Sequence, residues 1–333
     1  MKAAILKDKK RFSIEEVPMP EPKSDEVVIK ISYCAVCGSD INRFVTGRGI
    51  GLILGHEFSG KITQVGKDVS GWSVGDHVFV NPITYCAKCY FCLHQRENLC
   101  TNRGGTGIGG KPGAYAEYVK AKSSQLFRCP DNIGKKEATM AQCLAVAVHT
   151  VRVSGMKPGD KVVVIGAGPI GLLVLACSKL DGAGRVYAIE MAEGRKRAAE
   201  QMGADQVLDP TGVNAPQQVL ELTGIGADVV FCCAGSSQAV RDAVAMVIPG
   251  GTVIIVAGDW TAEFNSTHVV DRELVIKGSK AYSDEFAQAV DLITGNKIDC
   301  TKLITSVEPL SRIQQVFEEL ITPVSQVKVL IAP

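Results

Sequence analysis

No apolar run in this chain reaches the roughly 18 to 20 residues that a membrane-spanning helix needs, because Lys161, Lys179 and other charges interrupt the longest candidates. A soluble protein with no membrane partner is the expectation. Long blocks of like charge are also missing, and 36 Lys and Arg against 35 Asp and Glu leave a net charge of +1. So balanced a chain is not held to nucleic acid or an anionic surface by its overall field. No positively charged, apolar leader opens the sequence, which starts directly on the strand-like Lys2-Ala-Ala-Ile-Leu6. That implies a cytoplasmic, reducing address in which cysteines stay thiols. Repeats of fixed period and low-complexity tracts are absent as well.

What is present is 333 residues with 46% hydrophobic content, enough for two domains. Alternation through Val27, Ile29 and Ile31, with further short runs at 60–65 and 77–80 between glycine-bearing turns, predicts antiparallel strands. From Lys161 the texture changes to short strands alternating with helices: strands at 162–165, 186–189, 229–232, 252–256 and 274–277, helices at 170–180, 194–202 and 239–247, with Pro249-Gly250-Gly251 read as a turn. This pattern predicts a doubly wound parallel sheet. The fold class is therefore α/β, a mostly-β domain over residues 1–150 and a dinucleotide-type domain over 151–283. Residues 284–333, with helices at 286–294 and 313–320 and a strand at 327–331, are expected to return to the first domain.

Cys86-Ala-Lys-Cys89-Tyr-Phe-Cys92, followed by Cys100, has the spacing of a closed, four-thiolate structural zinc site. Such a shell leaves no position for substrate, so the chemistry belongs elsewhere. Gly166-Ala-Gly168-Pro169-Ile170-Gly171 lies between a strand and a helix, the setting in which this pattern binds a dinucleotide. Gly166 permits the tight turn, Gly168 the approach of a pyrophosphate, and Gly171 close packing of helix on strand. Glu190 ends the next strand, where a carboxylate can accept from both adenosine ribose hydroxyls and favours NAD over NADP. Arg195 and Lys196 stand nearby and could instead meet a 2′-phosphate.

Cys37 and, eighteen residues on, Gly55-His56-Glu57 offer a soft sulfur, an imidazole and a carboxylate from separated segments. That donor set suits an open, catalytic zinc, although a histidine beside an acid also fits a structural ion pair. With Gly55-His56-Glu57-Phe-Ser-Gly60, Gly66, Val69, Cys37-Gly-Ser-Asp40, the four-cysteine lobe and the glycine turn together, the chain resembles the zinc-containing medium-chain alcohol dehydrogenases, in the polyol, sorbitol and 2,3-butanediol branch. Resemblance to butanediol dehydrogenases rests on Val80-Asn81-Pro82-Ile83-Thr84, Ala116-Glu117-Tyr118-Val119 and Gly278-Ser-Lys-Ala-Tyr282.

The resemblance implies a GroES-like catalytic domain, a Rossmann domain, one catalytic and one structural zinc per subunit, and Cys37, His56 and Glu57 as catalytic ligands. It also implies that Ser39 hydrogen-bonds the substrate alcohol and passes its proton outward; the alternative for Ser39 is a helix N-cap. A small alcohol or ketone substrate follows, a vicinal diol or polyol first, a 3-hydroxy amino acid such as threonine or a cyclic alcohol second. A homodimer or homotetramer is implied too, formed partly through the sheet edge at 274–277.

Three departures mark this sequence. Gln142-Cys143-Leu-Ala-Val-Ala stands where related polyol dehydrogenases carry Glu-Pro-Leu-Ala-Val-Ala. With Cys37 and Glu57 already matching the charge of Zn²⁺, the loss of a glutamate at Gln142 implies a more Lewis-acidic metal. Cys143 as a fourth ligand would require a locally different backbone, since one helical step turns a side chain by roughly 100°. Asn42 replaces a histidine of the proton relay, and His149, on an apolar helical stretch, reads as packed rather than as its substitute. Arg43, Arg48 and Trp260 are further candidates for the cleft. A catalytically silent nucleotide-binding relative, or an interaction protein built on the zinc lobe, is the rival reading.

Overall fold

A computed structural model of the chain describes residues 1–258, 261–263, 265–322 and 325–333, and it divides into two units, Met1–Gln142 with Phe286–Pro333 and Cys143–Glu285. The breaks expected at 150/151 and 283/284 fall at 142/143 and 285/286. The cause is the unbroken helix Ala141–Ser154. Its later turns are tied into the second unit, with Thr150 Oγ1 2.9 Å from Ser279 Oγ and Lys277 Nζ donating to the Val153 carbonyl at 2.9 Å. No helix among the described residues is long and apolar enough to cross a membrane.

In the first unit the strand Glu26–Ala35 buries Val27, Ile29 and Ile31, as their alternation predicts, and forms the middle of a seven-stranded sheet. Along the sheet path the order is Ile304–Pro309, Lys328–Ala332, Glu26–Ala35, Glu57–Val65, His77–Val80 and Leu126–Arg128, with Tyr118–Lys122 also paired to Glu26–Ala35. The antiparallel register of Glu26–Ala35 on Glu57–Val65 sets Ala35 opposite Glu57 and Cys34 opposite Phe58. The C-terminal strand Lys328–Ala332 pairs Leu330 with Ala35. Residues just beyond Ala35 and just before Glu57 therefore emerge side by side.

A helix the sequence pattern left unread, Gly38–Thr46, follows at once. It buries Asp40 and Phe44 on one face, an i, i+4 pair. Phe44 stacks on Phe12 at 5.2 Å and meets Phe317 edge-on at 5.3 Å, and Tyr115 joins Phe317 at 5.7 Å. Phe317 lies on the helix Ile313–Leu320, so the C-terminal segment clamps the Gly38–Thr46 helix in place. Each aromatic pair adds about 0.5–1.5 kcal/mol beyond its area burial.

The second unit is a six-stranded parallel sheet ordered Gln206–Leu208, Arg185–Ile189, Lys161–Ile165, Ala227–Cys232, Val247–Ile255 and Val275–Gly278. The first strand of the unit lies in the middle and the direction of winding reverses beside it, the arrangement that opens a crevice at the strand ends. Pro249-Gly250-Gly251 was expected as a turn before a strand. The structure includes it in Val247–Ile255, where the register jumps from Ala227 opposite Val247 to Val229 opposite Thr252. Gly250 at φ +75° lets the extra residues loop out without ending the strand.

At the glycine turn, Gly166 has φ +92°, and a Cβ on Gly171 would stand 1.9 Å from the Gly166 carbonyl oxygen. Helix Pro169–Leu180 can thus lie this close to its strand only with glycine at 171. Replacing Gly171 by Ala is expected to destabilise this unit by about 1–3 kcal/mol through overpacking. Chemical unfolding followed through the second unit measures it, and an unchanged midpoint would contradict so close an approach.

Candidate active site

The register described above converts an eighteen-residue separation into contact. Cys37, two residues past Ala35, and His56, one before Glu57, meet at the end of the paired strands, and one donor atom from each of Cys37, His56 and Glu57 lies within 4.8 Å of the others. His56 and Glu57 are buried and Cys37 is half-buried. Cys37 occupies the N-cap position of helix Gly38–Thr46, which removes the capping alternative for Ser39. Ser39 sits in the first turn, exposed, its Oγ donating to Cys37 Sγ at 3.3 Å.

Asp40, quoted in the sequence motif without a role, faces the same cluster. Its Oδ1 lies 3.4 Å from His56 Nδ1, and neither atom has a hydrogen-bond partner. Asp40 Oδ2 accepts from the buried Tyr115 hydroxyl at 2.8 Å. Glu57 Oε2 accepts from Lys328 Nζ at 2.7 Å, with both side chains buried. Sequence reasoning missed Tyr115 and Lys328 as site residues. The one available signal for Lys328 was a charge inside the otherwise apolar run 327–331.

These anions set the electrostatics. Burial by itself pulls the His56 imidazole down, but Asp40 and Cys37 outweigh it and hold His56 well above the ordinary imidazole value. Burial and the Asp40 charge push the Tyr115 phenol well up, so it remains a donor. Burial likewise raises the Asp40 carboxyl, yet His56 and the Tyr115 hydroxyl bring it below the usual range. The pocket is short of positive charge. A divalent cation fits that deficit, and with Nδ1 turned to Asp40 the imidazole keeps Nε2 for a metal, the carboxylate–histidine arrangement of zinc sites.

Cys143 is not among the clustered donors, although it is buried, as is Gln142 beside it on the same helix. Asn42 Oδ1 accepts from Arg48 at 2.8 Å, and Arg43 donates to the Gly107 carbonyl at 3.0 Å. His149 is buried with its Nδ1 2.6 Å from Glu285 Oε1, a carboxylate partner that the apolar pattern around it did not signal. Trp260 lies outside the described residues.

The four-cysteine lobe is assembled as its spacing predicts, with Cys86, Cys89, Cys92 and Cys100 sulfurs within 4.8 Å of one another. Cys89 and Cys92 sulfurs are 3.5 Å apart and those of Cys86 and Cys92 4.0 Å. Four thiolates at about 2.3 Å around a tetrahedral zinc stand about 3.8 Å apart, so the spacing fits that ion, and it is far too long for a disulfide. Backbone N–H groups of Cys92 and Thr101 lower the Cys89 thiol to about 6, favouring the ligating thiolate.

In the second unit a cavity of about 1010 Å³ is lined by Gly166, Gly168, Glu190, Arg195, Cys233 and Gln238, among others. Pro169 and Ile170 begin the helix whose N-terminus follows Gly168, and a Cβ on Gly168 would meet nothing within 4 Å, open space of the kind a pyrophosphate needs. Glu190 Oε2 accepts from Ala167 N at 2.9 Å, and Oε1 from Met191 N at 2.8 Å and Ala192 N at 2.9 Å. A carboxylate has about four acceptor positions, so three amides leave about one for a ribose hydroxyl rather than two. Lys196 is engaged by Asp209 at 2.8 Å and Glu193 at 3.0 Å, and Arg195 and Arg241 both line the cavity.

Residues 23–131 match the alcohol dehydrogenase GroES-like domain, and residues 169–295 match the zinc-binding dehydrogenase domain. The (R,R)-butanediol dehydrogenase of Bacillus subtilis (strain 168) is 34% identical over 353 residues, spanning 100% of both chains. Sorbitol dehydrogenase of the same bacterium is 31% identical over 328 residues, 96% of this chain and 93% of its own. Among solved structures, 2R,3R-butanediol dehydrogenase from Bacillus subtilis matches with a TM-score of 0.91 at 32% identity, covering 100% of this chain and 99% of that one. A Sinorhizobium meliloti 1021 protein, classed provisionally as a zinc-binding dehydrogenase and solved bound to NADP, matches with a TM-score of 0.94 at 30% identity over 100% and 99% of the two chains.

Because Asp40 and Cys37 hold His56 well above its ordinary value in the metal-free protein, protons compete with an incoming metal for its ring. Zinc titration of metal-free protein near neutral pH should therefore release protons, and affinity at this centre should weaken as pH falls. A pH indicator in weak buffer reads the release, and binding that neither releases protons nor varies between pH 6 and 8 would contradict the electrostatics described.

Proposed function

Since the chain belongs to the zinc-containing medium-chain alcohol dehydrogenases, in their polyol dehydrogenase branch, we propose that it oxidises the secondary carbinol of a vicinal diol or polyol with NAD and reduces the matching ketone in reverse. The observation that carries this reading is the convergence of Cys37, His56 and Glu57 donors within 4.8 Å, with the Ser39 hydroxyl 3.3 Å from the Cys37 sulfur. The name of the butanediol relative, identical at 34% over its full length, supports a diol as first substrate.

Cys37, His56 and Glu57 would hold a zinc ion, which would supply Lewis acidity toward a substrate hydroxyl. A nicotinamide dinucleotide held at the glycine turn would supply the hydride acceptor. Ser39 receives the hydroxyl proton at Oγ and gives up its own; being exposed, it hands that proton to water. Asn42 takes no part, because an amide does not titrate near neutral pH and its Oδ1 is engaged by Arg48. Asp40 fixes the imidazole of His56 from behind. Cys86, Cys89, Cys92 and Cys100 hold a second, structural zinc that braces their loop.

The glycine turn receives the pyrophosphate at the helix N-terminus. Glu190, fastened by three amides, presents its last acceptor position to a ribose hydroxyl and its charge against a 2′-phosphate, which favours NAD. A homodimer or homotetramer is the proposed assembly.

NAD reduction should be measured across vicinal diols, sugar alcohols, threonine and simple secondary alcohols, before and after chelation and zinc restoration. Turnover with diols or polyols that is lost on chelation and regained with zinc is expected; none with any alcohol at full zinc content would overturn the reading. Ser39→Ala should lower kcat by about 10²–10⁴-fold, the usual worth of a positioned proton-transfer group. In Glu190→Ala the ratio of kcat/KM for NAD to that for NADP should fall by tenfold or more, and a constant ratio would remove Glu190 from cofactor choice.

A further inference from the structure

Lys328 is a fully charged side chain type placed almost wholly out of water, at 2% exposure, in a strand whose other residues are apolar apart from the backbone. Long ammonium side chains ordinarily extend to solvent, and burial is tolerated only where charge and hydrogen bonds are met. Lys328 meets both at one place. Its Nζ donates to Glu57 Oε2 at 2.7 Å and to the Val36 carbonyl at 3.0 Å. Val36 directly precedes Cys37, and the Val36 N–H returns a hydrogen bond to the Val329 carbonyl at 2.9 Å. One buried cation thus touches the carboxylate of one candidate ligand and the backbone beside another.

The surrounding charges give this contact a purpose. Around His56 stand Cys37, which would ligate zinc as a thiolate, and the buried carboxylates Asp40 and Glu57. With a neutral imidazole these three negative charges and the single buried positive charge of Lys328 leave two to be neutralised, the charge of one zinc ion. The sequence reading matched Zn²⁺ with Cys37 and Glu57 alone; the fold adds Asp40 and Lys328, which cancel. Half-exposed Arg43 also acts on Asp40 but is screened by solvent.

We propose that Lys328 is a positioning residue of the metal site: by engaging Glu57 Oε2 it holds the carboxylate so that a metal takes it through one oxygen, and it supplies the positive charge that makes the zinc-loaded centre electroneutral. Without it Glu57 is free to rotate and to offer both oxygens, and the loaded centre carries an excess negative charge that weakens polarisation of the substrate. This rests on the reading of Cys37, His56 and Glu57 as zinc ligands.

The test compares Lys328→Met, similar in length and neutral, with Lys328→Arg. Zinc at the Cys37–His56–Glu57 centre is replaced by cobalt(II), whose visible absorption reports ligand geometry, and unfolding midpoints serve as fold controls. Expected for the Met variant is a shifted cobalt band, catalytic-site metal lost to a chelator about 10–100-fold faster, and kcat down by about 10–100-fold with KM changed far less, the scale seen when an outer partner of a metal ligand is removed. Lys328→Arg should recover most of each. A folded Met variant with the wild-type band, metal retention and kcat would overturn the proposal, as would equal impairment in Met and Arg, which would mean packing rather than charge. If Lys328→Met does not fold, a crystal structure of the unaltered zinc-loaded protein decides it: Nζ in hydrogen-bond contact with one Glu57 oxygen and the other oxygen on zinc supports the role, and separation of Lys328 from Glu57 refutes it. The cobalt band and the crystal structure need no turnover, so an inactive wild type would count against the proposed reaction and leave Lys328 to be judged separately.

Discussion

Buried negative charge around a single imidazole is the constraint on which the rest of this molecule depends. Cys37, Asp40 and Glu57 converge on His56, and Lys328 is the only buried lysine or arginine among the described residues. Carboxylates removed from water cost several kcal/mol each unless they are paired and hydrogen-bonded. A fold that keeps them there must supply compensation, and the chain does so in layers: Tyr115 bonds Asp40, Lys328 bonds Glu57, and the proposed divalent metal would complete the set.

Each of those partners arrives by a different structural route, which explains why the unit is built as it is. Pairing Ala35 with Glu57 brings the candidate ligands together, and the helix Gly38–Thr46 turns Asp40 inward because Phe44, one turn later, is locked among Phe12 and Phe317. Tyr115 belongs to the same aromatic group and carries its hydroxyl to Asp40. Lys328 comes from the last strand, docked on Glu26–Ala35. Packing and the candidate site therefore share residues: the apolar core that stabilises the unit is also what aims its polar groups.

The nucleotide unit solves a separate problem with backbone rather than side chains. A parallel sheet ordered around Lys161–Ile165 opens its crevice where the winding reverses, and Gly166, Gly168 and Gly171 clear the space there. Glu190 is fixed by three amides of the surrounding turns, so its carboxylate is a rigid part of the cavity wall rather than a mobile arm. Rigid placement is what discrimination between a ribose hydroxyl and a phosphate requires.

Chemistry carried by short, contiguous runs was legible in the sequence. Four thiols within fifteen positions, a glycine turn between strand and helix, and an acid at the end of the next strand each declare themselves, because spacing along the chain is also spacing in space there. Alternation likewise marked the strand Glu26–Ala35 and the α/β winding from Lys161. What lay beyond the sequence was whatever depends on strand register and on distant segments meeting. Asp40 could be quoted but not given a partner, since its distance to His56 is set by the pairing of two strands. Tyr115 and Lys328 went unnoticed, because neither is near the candidate metal ligands along the chain. His149 read as merely packed, since its carboxylate, Glu285, is 136 residues away. Residue types and local periodicity thus determined which reactive groups this protein owns, and the tertiary fold alone decided which charges face one another, because electrostatic energy follows distance in space and burial rather than order in the chain.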